Sequence, residues 1–344
     1  MSTPKVLVSL VTHDDSSDVE RLLPTLSAQT ERALAIHALD NASEDGSRAA
    51  LAAAQRVSPF PFTLVASRVN LGYAGGHNQA IAEAVRQGIP WVLVLNSDVL
   101  LAPDFVEKLL AAAEAPGHER VGSLAGKILR AEGENLTPTN VVDSVGLHMT
   151  RNGRHFDLGA GEKDTGQYDA PAEVFGVSGC AALYRTSALE DVRISTGYFD
   201  DDFFVYREDV DLAWRLRGRG HTALCVPSAV AWHRRRNLPD RRDAMPPLVN
   251  LHSVKNRFLL RLNNAGPAHV RATFVSTFVR DALVVGSCLT VERSSLPALR
   301  WLGQHRRRLL EKRREILARR TVGDAELLPW FTNDLAGARR PDKL

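Results

Sequence analysis

Four continuous apolar runs, at residues 6–11, 33–39, 62–66 and 91–95, alternate with helical patterns at 19–28, 47–56 and 76–87. Unbroken apolar strands are buried on both faces, which requires helices above and below a largely parallel sheet. Few folds satisfy that pattern, and in them ligands bind beyond the carboxyl ends of the strands. Three of the runs end in polar clusters: Thr12-His13-Asp14, Asp40-Asn41-Ala42-Ser43 and Asn96-Ser97-Asp98. Three such clusters on one rim predict a binding site.

Beyond residue 104 the pattern changes. A helix at 104–115 leads to a strand at 121–127 and a polar, glycine-rich stretch at 130–166. Strand character returns at 174–184 around Gly179 and in two short runs at 223–226 and 229–232. From Pro246 the chain reads as amphipathic helices at 248–262, 269–289 and 297–320. This predicts a catalytic domain over 1–235 and a helical extension over 236–344.

Charge divides at nearly the same place. Residues 1–233 hold 20 basic and 30 acidic side chains, and 234–344 hold 23 and 10, a split that suggests an anionic partner for the second part. Cys180, Cys225 and Cys288 lie far apart without metal-binding spacing, which fits a reducing compartment. The N-terminus runs directly into a strand, so no leader is expected. The most apolar helix pattern, 272–289, is interrupted by Arg280 and Asp281, so no membrane span is expected either.

Four motifs bear on chemistry. Asn70-Leu71-Gly72-Tyr73-Ala74-Gly75-Gly76-His77-Asn78 is a glycine-rich turn before a helix, where backbone amides can approach a phosphate or sugar, though tight turns also use glycine. Asp98, at the end of a rigid apolar strand, suits a hard divalent cation, with Asn96 beside it; a simple turn is the plainer reading. His233 ends an apolar strand, where a histidine is more often structural. The loop after it carries Arg234, Arg235, Arg236, Arg241 and Arg242, suited to a diphosphate. Glu208, Asp209 and Asp211 meet a predicted helix start near Leu212, where acidic residues are usually caps but can serve as a base.

Together these motifs resemble the inverting glycosyltransferases of family 2, of the GT-A fold, in their rhamnosyltransferase-like branch. The likeness spans roughly 1–235 and continues through Gly179-Cys180-Ala181-Ala182-Leu183, Gly197-Tyr198-Phe199-Asp200, the stretch 203–216 and the stretch 227–233. It implies an α/β nucleotide-diphospho-sugar transferase fold, a mostly parallel sheet flanked by helices. Asp40 is then expected at the nucleotide base, lined by Thr12 and Asn41. Gly72, Asn78, Asn96 and Ser97 would lie along the nucleotide-sugar. Asp98 and His233 would bind Mg2+ or Mn2+ on the diphosphate. Asp209 would be the general base, with Glu208 a helper or structural neighbour and Asp211 either at the helix start or in support behind the site. Where many relatives carry Asp at the first metal-motif position this chain has Asn96, one charge fewer. Arg207 is expected to lower the pKa of the base by proximity. Lys255-Asn256-Arg257 matches a basic-Asn pair of the relatives and receives no role.

The implied reaction moves a sugar, rhamnose for this branch, from a nucleotide-diphosphate donor to a hydroxyl of a saccharide or polyprenyl-linked acceptor in cell-surface polysaccharide synthesis. Trp301, Arg306–Arg308, Lys312–Arg314, Ile316, Arg319 and Arg320 form a basic amphipathic pattern. It is expected to contact the inner face of the cytoplasmic membrane, to pack on the catalytic domain with its arginines outward, or to form a homodimer. A non-catalytic sugar-nucleotide- or glycan-binding member is the rival reading. A nucleic-acid-binding protein is disfavoured because no recognisable module or stacking aromatic set accompanies the arginines. A nucleotidyltransferase is disfavoured because residues 11–17 lack a phosphate loop.

Overall fold

The computed structural model describes residues 3–235, 247–335 and 338–340. Its first part is a βα alternation: β1 (Val6–Thr12), α1 (Ser16–Ser27), β2 (Leu34–Asp40), α2 (Ser47–Val57), β3 (Phe62–Ala66), α3 (Gly72–Gln87) and β4 (Trp91–Asn96). These strands pair in parallel in the order β3-β2-β1-β4, with Thr12 opposite Asp40 and Val11 opposite Asn96. That register aligns the polar strand ends on one rim.

The second part supplies β5 (Val99–Leu101), α4 (Phe105–Ala113), β6 (Val121–Glu132), β7 (Thr137–Ser144), β8 (Leu147–Met149), β9 (His155–Asp157), β10 (Ala172–Val174), β11 (Ala181–Arg185), α5 (Thr186–Val192), α6 (Glu208–Gly218) and β12 (Thr222–His233). β11 runs antiparallel between β4 and β6, and β12 lies parallel to β6. The stretch at 130–166, which showed no periodicity, contains β7 and the β8–β9 hairpin. The two runs at 223–226 and 229–232 are one strand. Its register slips between Val226 and Val230, around Pro227, which has no N–H to give to a ladder.

The C-terminal helices are α7 (Pro247–Asn264), α8 (Pro267–Thr290), α9 (Leu296–Gln304), α10 (Arg306–Arg319) and α11 (Asp324–Leu327), followed by a short edge strand, β13 (Arg339–Arg340). They share a core with the sheet domain: Leu147, Phe175, Val210 and Trp214 pack with Leu259, Leu260, Leu309 and Trp330. Truncating a fully buried aromatic such as Trp214 would cost about 3–5 kcal/mol. The expected run at 297–320 is broken into α9 and α10 at His305. Helix α8 is long and apolar enough to cross a membrane by length and composition, contrary to the expectation drawn from Arg280 and Asp281.

The cations of α10 are not simply an outer face. Lys312 is buried on Asp200 and Asp202 at 2.5 and 2.6 Å, and Arg308 pairs with Asp202 at 2.6 Å. Arg313 donates to the Leu262 and Ala265 carbonyls at 2.6 Å each. Lys312 and Arg308 therefore tie the extension to the 200–202 turn, and Arg313 braces α10 on the end of α7.

Candidate active site

The rim begins where β1 and β2 end. The Asn41 amide N–H donates to the Thr12 carbonyl at 2.8 Å, and the Ser43 amide donates to Asp40 Oδ1 at 3.3 Å. Thr12 and Asp40 are buried, and the Thr12 hydroxyl has no hydrogen-bond partner among the described residues. Asn41 accepts from the Leu71 amide at 2.8 Å and donates to Asn70 Oδ1 at 3.0 Å and to the Gly72 carbonyl at 3.2 Å. It therefore fixes the glycine-rich turn to the end of β2.

Gly72 has a φ of +70°, and a Cβ there would lie 2.5 Å from the Phe204 carbonyl oxygen. Only glycine permits both the left-handed backbone and that approach. The Ala74 amide donates to the same oxygen at 3.2 Å, so the turn reaches the segment preceding α6. Asn78 goes elsewhere. Its Nδ2 donates to the Phe199 carbonyl (2.9 Å) and to Asp201 Oδ1 (2.7 Å), and its Oδ1 accepts from the Phe199 amide (2.9 Å). We assign it the positioning of the 199–201 turn in place of a donor contact, because its amide is spent on protein groups. His77 is a core residue, bonded to Ser9 Oγ at 2.7 Å and lowered by burial to a pKa of about 3.

Helix α6 begins four residues before its predicted start, so Glu208 and Asp209 lie in its first turn. The entry is strained: Phe204, Tyr206 and Arg207 all have positive φ, at 64°, 69° and 73°. Such backbones cost roughly 1–3 kcal/mol each and persist where neighbours hold them. Asn256 of α7 is that neighbour. Its Nδ2 lies within hydrogen-bonding distance of the carbonyls of Phe203 (3.0 Å), Val205 (2.7 Å) and Tyr206 (2.8 Å). Lys255 beside it donates to the Asp202 carbonyl at 2.5 Å. The basic-Asn pair thus acquires a role: it clamps the loop that presents the carboxylates.

Asp209 accepts from the Gly179 amide at 3.1 Å and from the Val210 amide at 2.8 Å, and Tyr73 donates to the Gly179 carbonyl at 2.7 Å. Burial pushes Asp209 up to about 6 against the pull of the Gly179 amide, and the charge of Asp157 adds to the rise. Glu208 is driven well above the carboxylate range by burial first and then by Asp209, and its Oε2 is buried without a partner. The net direction at Asp209 is upward, so the expected lowering by Arg207 does not prevail. Asp211 is not a cap. It accepts from Arg215 Nε (2.8 Å), Asn263 (3.0 Å) and Asn264 (2.7 Å), a buried hub joining α6 to α7.

From Gly179 the rim continues to the metal motif. The next carbonyl, Cys180, accepts from the Asn96 amide at 2.9 Å, and Ser97 Oγ donates to Asp15 at 2.8 Å. Asp98 Oδ1 lies 3.4 Å from His233 Nε2, while His233 Nδ1 lies 2.8 Å from Asp143 Oδ2. Burial alone would lower His233, but hydrogen bonds and charge from Asp143 and Asp98 outweigh it and raise the pKa to about 9. Arg235 pairs with Asp143 at 2.9 Å and also with Asp157. Arg236, Arg241 and Arg242 of the predicted basic loop lie outside the described residues.

Sequence reasoning missed Asp143, Asp157 and the 200–202 acids. Asp143 carried one faint signal, a carboxylate directly after Val141-Val142 in a strand-like run.

A carboxylate raised toward neutrality, joined through one backbone segment to an Asp–His pair at a strand end, is an arrangement that can exchange a proton beside an ionic ligand. The Glycosyl transferase family 2 model matches residues 8–193, and the chain belongs to that family. It is 32% identical over 255 residues to an N-acetylglucosaminyl-diphospho-decaprenol L-rhamnosyltransferase of Mycobacterium tuberculosis, covering 69% of this chain and 78% of the relative. A galactofuranosyl glycosyltransferase of Leishmania donovani is 24% identical over 169 residues, 44% of this chain and 38% of the relative. In fold the chain is similar to a mannosyltransferase of Pyrobaculum calidifontis solved with GDP-Man and Mn2+ (TM-score 0.51, 17% identity, 93% of this chain and 86% of that one). It is also similar to residues 1–349 of S. aureus TarS with UDP (TM-score 0.52, 14% identity, 91% and 90%). The chain is a glycosyltransferase of the GT-A fold, rhamnosyltransferase-like in sequence.

Proposed function

We propose that the protein transfers a sugar, rhamnose by its likeness to the mycobacterial enzyme, from a nucleotide-diphosphate donor to a hydroxyl of a lipid-linked saccharide, with inversion. The observation that carries this reading is the continuity of the rim. Asp209 is held by the Gly179 amide, and the adjoining Cys180 carbonyl holds Asn96, two residues from Asp98. Asp209 then takes the proton of the acceptor hydroxyl. A pKa of about 6 suits that task, since the group is ionised at neutral pH yet basic enough to accept. Glu208 beside it is shifted toward its neutral form by burial and by the charge of Asp209, which reduces like charge next to the base.

We assign Thr12 and Asp40 to the nucleotide base, with Asn41 holding the adjoining turn because its amide is spent on Leu71, Asn70 and Gly72; the Thr12 hydroxyl, without a partner among the described residues, supports a polar ligand there. Asp98 and His233 Nε2 would hold a divalent cation, Mg2+ or Mn2+. They fit one provided that His233, raised to about 9, gives up its Nε2 proton as the cation binds; Asp143 occupies the other ring nitrogen and would fix the imidazole as outer carboxylates do in metal sites. Among the described residues no group of three or more His, Cys, Asp or Glu could hold a metal ion. The remaining positions would fall to diphosphate oxygens and water, a common arrangement for magnesium. The cation, when bound, neutralises the charge growing on the leaving diphosphate. Arg235, held by Asp143 and Asp157, adds positive charge at the same end.

A lipid-linked acceptor places the enzyme at the inner face of the cytoplasmic membrane, reached through the C-terminal helices. A non-catalytic glycan-binding member would not require a carboxylate raised by burial beside the Asp98–His233 pair. The test is a thermal-shift panel of nucleotide sugars with Mg2+ or Mn2+, followed by transfer from the best binder. A native-state ligand raises the apparent melting temperature. No stabilisation by any donor, or turnover unchanged in Asp209→Asn, would sink this assignment.

A further inference from the structure

Helix α8 carries an apolar stripe that none of the described residues covers. Phe274, Val275, Phe278, Val279 and Leu283 are 57%, 74%, 61%, 54% and 70% exposed. They recur at i and i+4, so they form one face running roughly 14 Å along the helix. Scattered apolar residues on a surface mean little, but a continuous patch of this kind marks an interaction site. The stripe borders a groove of about 640 Å³ between α7, α8 and α10, lined by Phe258, Leu262, Leu302 and Leu310 among others.

The opposite side of α8 is tied to the body. His269, Thr273 and Cys288 are buried, Ser276 Oγ donates to the Arg151 carbonyl at 3.2 Å, and Asp281 pairs with Arg261. A helix held along its length lies on the surface instead of spanning a bilayer. Its surroundings are cationic: residues 267–320 hold 12 basic and four acidic side chains. The exposed face contains Arg271 and no acidic residue, Arg306 lines the groove, and the groove's carboxylate, Asp281, is paired with Arg261. Two copies meeting here would set like charge against like. An anionic bilayer offers the complement of both the charge and the apolar stripe.

We propose that this face of α8, rimmed by Arg271 and Arg306, is the surface that lies on an anionic lipid bilayer. The Phe, Val and Leu side chains enter the boundary between headgroups and acyl chains. The docking stands on α8 itself; only its purpose, delivery of the enzyme to a lipid-linked acceptor, rests on the function proposed above.

The test is flotation of the full chain with vesicles of phosphatidylcholine mixed with phosphatidylglycerol, and with phosphatidylcholine alone. The parent should float with the anionic vesicles and lose binding as salt is raised. Phe278→Glu with Leu283→Glu should reduce binding at least about tenfold, and so should Arg271→Glu with Arg306→Glu. Unchanged melting temperature and unchanged transfer to a soluble saccharide acceptor would show that these variants are folded. A parent that ignores anionic vesicles, or a Phe278/Leu283 variant that floats equally well, overturns the proposal. A parent that is a dimer by light scattering, does not float, and becomes monomeric in that variant assigns the face to a second copy and also overturns it. Flotation with no transferase activity on any acceptor would instead count against the function alone.

Discussion

At the Asp98–His233 end of the site, carboxylates face cations, whereas Glu208 and Asp209 sit side by side and Asp209 receives only backbone amides. His233 lies between Asp98 and Asp143, and Arg235 bridges Asp143 and Asp157. The histidine is accordingly raised to about 9. At the other end burial dominates and both carboxyls shift upward, Asp209 to about 6. Charge balance at one end builds a place for an ionic ligand; charge isolation at the other builds a group that exchanges a proton. One rim does both because a backbone segment at 179–180 separates the two neighbourhoods.

The sharpest way to break this contrast is Asp209→Asn. The amide keeps the shape and removes the basicity, so kcat should fall about 10²- to 10⁴-fold, while donor affinity by calorimetry stays within about twofold. A comparable loss of donor affinity would erase the distinction between the two ends. Asp143→Asn attacks the other side. Losing the charge behind His233 should weaken cation-dependent donor binding about 10- to 100-fold, measured as the metal concentration giving half-maximal stabilisation by donor.

Asn256→Ala tests whether the base depends on the C-terminal helices. Hydrogen bonding to three carbonyls of the 203–206 loop would go, at about 0.5–1.5 kcal/mol per bond. The expected result is a lower melting temperature, with kcat falling about tenfold and donor affinity little changed. The smallest effect is the pH profile. Protonated Asp209 cannot accept a proton, so kcat should rise with pH and level off above about 6. A plateau reached near 4 would mean that the base is not desolvated.

Legibility in the sequence followed the range of the forces involved. Thr12, Asp40, Asn96 and Asp98 stood out because each terminates a continuous apolar run, a local pattern with one structural solution. Asp143 did not, since β7 is set by pairing with β6 (Leu129 opposite Val142) and not by a period of its own. Asn78 and Asp211 looked like site and cap residues because an amide near a glycine turn and an acid near a helix start commonly are. Their partners, the 199–201 turn and Asn263–Asn264, lie far along the chain. The basic tail was visible as charge, but only packing turned Lys312 and Arg308 inward and left α8 facing outward.

The sequence by itself determined a parallel sheet with a polar rim, the chemical kinds of group on it, and their order along the chain, because strand burial and strand ends are written in local hydrophobic pattern. Only the tertiary structure decided what each carboxylate touches. Asp209 and Asp211 are two positions apart, about 200° round the helix axis. Which of them faces Gly179 and which faces α7 was fixed by the strained 204–207 loop that Asn256 holds in place.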